Sequence, residues 1–271
     1  MTHRKQHDGT RLTERMAGPP AEERSIQARL CVAGLCLASL LFALPARAQQ
    51  AATAPQAAQA IAPFDITGYW VSVVTEDWRF RMVTPPKGDY NSVPLNDEAR
   101  KIADAWDPAK DQAEGNACKA YGAPAIMRVP GRVHVTWQDP NTLKFEMDAG
   151  TQTRLFYFGE PKGVGGGWQG VSKASWDMIA GAGNPARGGS LQVVTTGMKP
   201  GYLRKNGVPY SANAVLTEYY DRTEETNGDS WLVVTTIVDD PTYLSTRFIT
   251  STHFKKQASA AGWAPSPCEA R

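Results

Sequence analysis

The run GYWVSVVTEDWRFRM, Gly68 to Met82, sets the architecture of this 271-residue chain. It is β-branched and aromatic and alternates in polarity, which predicts one long or bulged strand. Alternation puts Trp70, Ser72, Val74, Glu76, Trp78 and Phe80 on one face. Val71, Val73, Thr75, Asp77, Arg79 and Arg81 take the other, because successive side chains of a strand point to opposite sides. The first face is mostly apolar and is assigned inward. The second grows charged towards its end and is assigned outward.

Downstream, a turn at Pro85, Pro86 and Gly88 precedes Leu95–Trp106. There Leu95, Ala99, Ile102, Ala103 and Trp106 recur at helical spacing, with Asn96 as N-cap and Pro108 as stop. Short strands follow: Ala125–Val129, Arg132–Gln138, Leu143–Asp148 and Thr151–Phe158, split by Pro130-Gly131, Asp139-Pro140-Asn141 and Ala149-Gly150. Turns this brief make neighbours antiparallel. Trp168–Trp176, Leu191–Met198, Ala214–Arg222, Trp231–Val238 and Arg247–Lys255 complete about ten strands. The expected fold is all-β, an antiparallel up-and-down barrel with one short helix after the first strand, since closure removes exposed edges. Leu191–Thr196 (LQVVTT) and Trp231–Thr236 (WLVVTT) echo each other 40 residues apart, which reads as a repeated hairpin in a meander.

Upstream, Cys31–Leu44 is an apolar run of 14 residues, short of the ~20 that span a bilayer. Arg24 and Arg29 precede it, and Pro45 and Ala46-Arg47-Ala48 follow, the pattern of a signal peptide cleaved after Ala48. Met1 and Met16 are both possible starts. The expected organisation is a signal peptide over 1–48, a flexible Ala/Gln-rich linker over 49–63 and one barrel domain over 64–271, periplasmic or secreted, without an integral membrane segment in the mature chain. The whole chain carries 29 Lys/Arg against 27 Asp/Glu, and removing 1–48 leaves 22 against 23. Near-neutral charge gives no reason to expect nucleic acid as a partner. Two cysteines stay in the mature part, Cys118 and Cys268, and an isolated pair in an oxidising compartment is expected to bridge.

Gly68-Tyr69-Trp70 at the start of the first strand resembles the Gly-x-Trp signature of the lipocalin and wider calycin families. The resemblance implies that Gly68 allows a tight approach to the barrel and that Trp70 closes the core. It also implies that an arginine of the last strand packs across the indole, Arg247 or alternatively Arg222. Three further stretches resemble a group of uncharacterised exported proteins of Proteobacteria and Acidobacteria. They are Asp65–Lys87, Trp106–Asp111 through Cys118, and Trp168-Gln169-Gly170 with Ser172 and Trp176 leading into Leu191–Thr196. That likeness implies export and a single domain, and no activity.

His134 and His253 are the mature chain's two histidines, with no cysteine cluster or H-x-x-x-H spacing, so no metal is expected. Gly165-x-Gly167-x-x-Gly170 matches a dinucleotide fingerprint in form, but the residues after it make a poor helix, and no cofactor is expected. G-x-S-x-G, Walker and C-x-x-C motifs are absent from the sequence.

Glu76 falls on the apolar face of its strand. It is either a buried carboxylate of the kind common at functional sites, or turned outward by a bulge. Gly201–Ser211 reads as a long connection whose Tyr202, Arg204 and Tyr210 could hold a flat, carboxylate- or phenolate-bearing ligand at the barrel mouth, or simply a solvated loop. Glu218, Tyr220 and Arg222 share one face of the next strand and Val215, Thr217, Tyr219 and Asp221 the other, and either could be inside. These residues point to an exported barrel that binds a small apolar or aromatic molecule in its interior. Trp78 and Phe80 would line the cavity, and Glu76, Tyr202, Arg204, Tyr210 and His253 would be near the ligand. The alternatives are a cofactor-independent isomerase, lyase or hydrolase, with Glu76 or His253 as base, and an accessory protein of the cell envelope.

Overall fold

A computed structural model describes residues 56–163, 165–179 and 188–270. The expected signal peptide and the first part of the linker lie outside them. Nine strands close a barrel: β1 Gly68–Val73, β2 Arg132–Asp139, β3 Thr142–Met147, β4 Gln152–Phe158, β5 Val171–Met178, β6 Gly189–Thr196, β9 Val215–Glu224, β10 Ser230–Asp239 and β11 Phe248–Gln257. A hairpin of β7 Gly201–Arg204 and β8 Val208–Tyr210 stands apart between β6 and β9. The ring runs β1-β11-β10-β9-β6-β5-β4-β3-β2 and closes on β1. This is the all-β barrel expected from the strand pattern, with nine strands in the ring.

One pair departs from strict alternation. β4 and β5 are parallel, with Phe156, Tyr157 and Phe158 opposite Ser172, Lys173 and Ala174. Parity requires it: directions cannot alternate all the way round a ring with an odd number of strands. The connection after β4 therefore returns along the barrel before β5 begins.

Inward positions follow the period of two. In β10, Leu232, Val234, Thr236 and Val238 are buried; in β9, Leu216, Glu218 and Tyr220 are. Side chains fill the interior, with Trp70, Phe145, Phe156, Tyr220 and Phe254 at 1% exposure or less. Arg154 of β4 and Glu218 of β9 pair there, with both side chains wholly buried. The guanidinium donates to the two carboxylate oxygens at 2.9 and 2.5 Å and to Thr195 Oγ1 at 3.2 Å, and the Tyr220 hydroxyl donates to Glu218 at 3.1 Å. Burial pulls the Arg154 pKa down, but Glu218 and Tyr220 push it up by more, so the guanidinium stays charged.

At one end, Trp70 donates from its indole to the Ile66 carbonyl at 2.8 Å. Its cation is Lys256, directly opposite on β11 and 4.6 Å from the ring centroid. Arg247 and Arg222 do not play this part. Arg247 precedes β11 at the far end, exposed and paired with Asp239, whereas Arg222 binds the Asp65 carbonyl and Glu224. Gly68 has φ +101°, and a Cβ there would lie 3.2 Å from Lys256 Cε. Beside this end, residues 56–63 are anchored rather than free: the Ala58 amide donates to Asn141 and the Trp176 indole donates to the Ala58 carbonyl.

The first strand is shorter than expected. It ends at Val73, and Asp77 at φ +51° turns the chain into a single helical turn, α1, Trp78–Arg81. Val74, Glu76, Trp78 and Phe80 are therefore not on the inner face of a strand. The predicted helix forms as α2, Asp97–Asp104, with the Asn96 side chain accepting from the Ala99 amide. Asn96→Ala is expected to cost about 1 kcal/mol of stability, read as a shift of the urea midpoint. Pro108 starts α3, Pro108–Ala113, behind the Asp107 cap, instead of only ending α2. Ala125–Val129 is not a strand: α4 covers Ala123–Ile126, with Pro124 in its first turn. With the hairpin, α2 and α4 pack over the second end of the barrel around Tyr210, Leu203, Met198 and Phe248. Gly201–Ser211 is thus mostly buried, not a solvated loop. Cys118 and Cys268 are disulfide-bonded, tying the C-terminal tail to a 3-10 turn beneath the hairpin. Among the described residues no helix is long and apolar enough to cross a membrane.

Candidate functional site

Three buried arginines meet where α1, the end of α4 and the hairpin converge on the second end of the barrel. Arg81 is the last residue of α1, Arg128 lies just beyond α4 and Arg204 ends β7; they are 7%, 6% and 4% exposed. The Asp77 turn swings Arg81 back towards the barrel, where its Nε donates to the Arg128 carbonyl at 2.9 Å and its Nη1 to Glu76. Arg128 donates to Asp77 at 3.1 Å. Among the described residues Arg204 has no carboxylate partner: it donates to the Asn91 carbonyl at 2.7 Å, and its guanidinium lies 4.1 Å from the Phe80 centroid.

Among the described residues, four guanidinium nitrogens in this group are buried without a hydrogen-bond partner: Arg81 Nη2, Arg128 Nη1, and Arg204 Nε and Nη2. An unmet buried donor costs about 1–3 kcal/mol, more when charged. All three arginines line a narrow cleft with Phe80, Val83 and Leu203, and Lys205 is also at its wall. Its free space of about 30 Å³ suits two or three waters, at roughly 10–15 Å³ each. Burial and the neighbouring Arg128 charge pull the Arg204 pKa down to about 10, against the opposing pull of Asp77 and Asp89. Arg204 is therefore still cationic at neutral pH.

The residues expected from sequence divide over several places. Phe80 and Arg204 line the cleft, and Glu76 borders it through Arg81. Trp78 is 62% exposed, on the outside of α1 and not in a cavity. Tyr202 points to the other side of the hairpin, where its hydroxyl donates to Asp111 at 2.7 Å. Tyr210 is wholly buried in the hairpin, and its hydroxyl packs against Gly122 and Gly201. His253 lies on the outer face of β11, its Nδ1 3.3 Å from Glu76. Arg81 and Arg128 were not legible as site residues. Strand alternation puts Arg81 on the solvent side, and nothing local to Arg128 marks it as buried.

No protein-family model, curated protein or solved structure matches this chain.

Proposed function

We propose that this chain is an exported binding protein that takes a small molecule bearing an oxyanion, and that the anionic group enters the arginine cleft rather than the packed barrel interior. The reading rests on one observation: three buried arginines line one cleft, and four of their nitrogens have no hydrogen-bond partner among the described residues. Planar guanidinium forks match carboxylate and phosphate oxygens in geometry as well as in charge. The ligand's body is the small apolar or aromatic molecule expected from sequence. Export is supported by the Cys118–Cys268 bond and by the leader pattern, and the Gly-x-Trp placement agrees with a calycin-type barrel.

Isothermal titration with acetate, benzoate and phosphate tests this. Binding of at least one is expected, and Arg204→Met is expected to weaken it at least tenfold, as loss of a charged hydrogen bond worth about 1.5–3 kcal/mol requires. Binding of none, or equal binding by the variant, defeats the proposal.

A cofactor-independent enzyme is the second reading, favoured by the contact of His253 with Glu76. In that arrangement Glu76 orients the imidazole and His253 acts as base. It expects His253→Ala to lose turnover while keeping affinity.

A further inference from the structure

The Glu76 carboxylate is shared between the cleft and the barrel surface. One oxygen accepts from Arg81, which lines the cleft. The other accepts from Thr75 Oγ1 at 3.1 Å and lies 3.3 Å from His253 Nδ1. Arg81, Glu76 and His253 thus form a continuous chain from the cleft wall to the outer face of β11. The Arg81 side chain is 1% exposed, whereas the imidazole at the other end is 37% exposed and open to solvent protons.

The early end of β1 makes this contact. His253 is paired with Val73, the last residue of that strand, and the chain leaves the sheet just beyond it. Few other charges surround the ring. Val73 is opposite it on β1 and Val233 on β10. Its same-face neighbours along β11 are Ser251 and Lys255, and Lys255 donates to Asp229 at 2.7 Å. Asp77, next to Glu76, is engaged with Arg128 at 3.1 Å. Among the described residues, Glu76 is the carboxylate that His253 meets.

Resting on the anion-binding reading above, we infer that His253 is a proton switch for the arginine cleft: when protonated, it draws on the Glu76 carboxylate and frees the charge of Arg81 for an incoming anion. Imidazole is the side chain whose charge ordinarily changes between about pH 5 and pH 8. With a neutral ring, Glu76 and Arg81 together carry no net charge. Protonation gives the three groups one positive charge, and their inner end is the cleft wall. Affinity for anions therefore rises as pH falls, by a few-fold where solvent screens part of the interaction. Coupling of this kind is reciprocal, so a bound anion in turn holds the proton on His253.

Titrate the purified protein with acetate, benzoate and phosphate by calorimetry at about pH 5.5 and about pH 8, alongside His253→Gln and His134→Gln. For each anion, take the gain in affinity from the higher to the lower pH in the parent and divide it by the gain in the variant, which cancels the anion's own ionisation. The quotient is expected to be about threefold or more for His253→Gln. It should be about one for His134→Gln, whose ring lies on β2 between Tyr69 and Glu146. In the parent, the His253 imidazole NMR signals should titrate at higher pH with the anion bound than without it. A quotient near one for His253→Gln, or an imidazole titration that the anion does not move, overturns the switch and leaves the anion site standing. Equal quotients above one for both variants would show a general charge effect rather than this contact, and also overturn it. If no anion binds at either pH, the underlying anion reading falls, and the switch with it.

Discussion

Glu218→Ala is expected to lower the stability of the folded protein by about 3–5 kcal/mol, the cost of leaving a buried charge without its partner. The arginine it abandons, Arg154, has no exposed side-chain surface and cannot reach water without opening the barrel. Its Nε already lacks a hydrogen-bond partner among the described residues, so losing the carboxylate would leave much of the guanidinium unmatched. The expected readout is a large drop in the urea midpoint. Arg154→Met/Glu218→Leu should recover most of the loss, because replacing a whole buried pair with apolar groups of similar size is often neutral or stabilising. If the double variant is as unstable as Glu218→Ala, the network contributes more than charge compensation, through Thr195, Tyr220 and Ser172. The pair is thus expected to be weakly stabilising as a unit and indispensable in its halves.

Cys118→Ser/Cys268→Ser is the other large effect. The bond joins residues 150 apart in sequence, and cross-linking a loop of that length restricts the unfolded chain by roughly 3–5 kcal/mol in the chain-entropy model. A thermal midpoint lower by on the order of 10 °C is expected. Dithiothreitol should produce a similar drop in the parent protein and none in the variant. An unchanged midpoint in the variant would mean that packing of the tail, including the Ser266 amide on the Asp148 carbonyl, already fixes it.

Regions where burial follows a simple period were readable from sequence. β10 shows it best: Leu232, Val234 and Val238 sit inside beside outward neighbours, and its predicted span is within a residue or so of the observed one. β9 was ambiguous because its inward face carries Glu218, a charge whose partner Arg154 lies 64 residues away. No local pattern identifies such a partner. The α1 turn failed for a related reason: over four residues, periods of two and 3.6 are hardly distinguishable, and the left-handed Asp77 has no strong sequence mark. The hairpin looked like a loop because its glycines, proline and asparagine are turn formers, yet these residues are what let two short strands pack tightly over the barrel end.

The apparent repeat is instructive. In β6 the inward residues of LQVVTT are Leu191, Val193 and Thr195, whereas in β10 those of WLVVTT are Leu232, Val234 and Thr236. Aligned letter by letter, the two segments present opposite faces, so they are not structural equivalents. The cleft was less legible still. Its arginines come from positions 81, 128 and 204, and only closure of the barrel and folding of the hairpin over its end bring them together.

The odd number of strands also bears on ancestry. Barrels that grow by copying a two-stranded unit pass only through even counts, and a nine-membered ring is not among them. If this architecture arose from duplicated hairpins, some step added or removed a lone strand. The trace of that step would be the same-direction seam between β4 and β5, where the ring absorbs the unpaired member without leaving an edge.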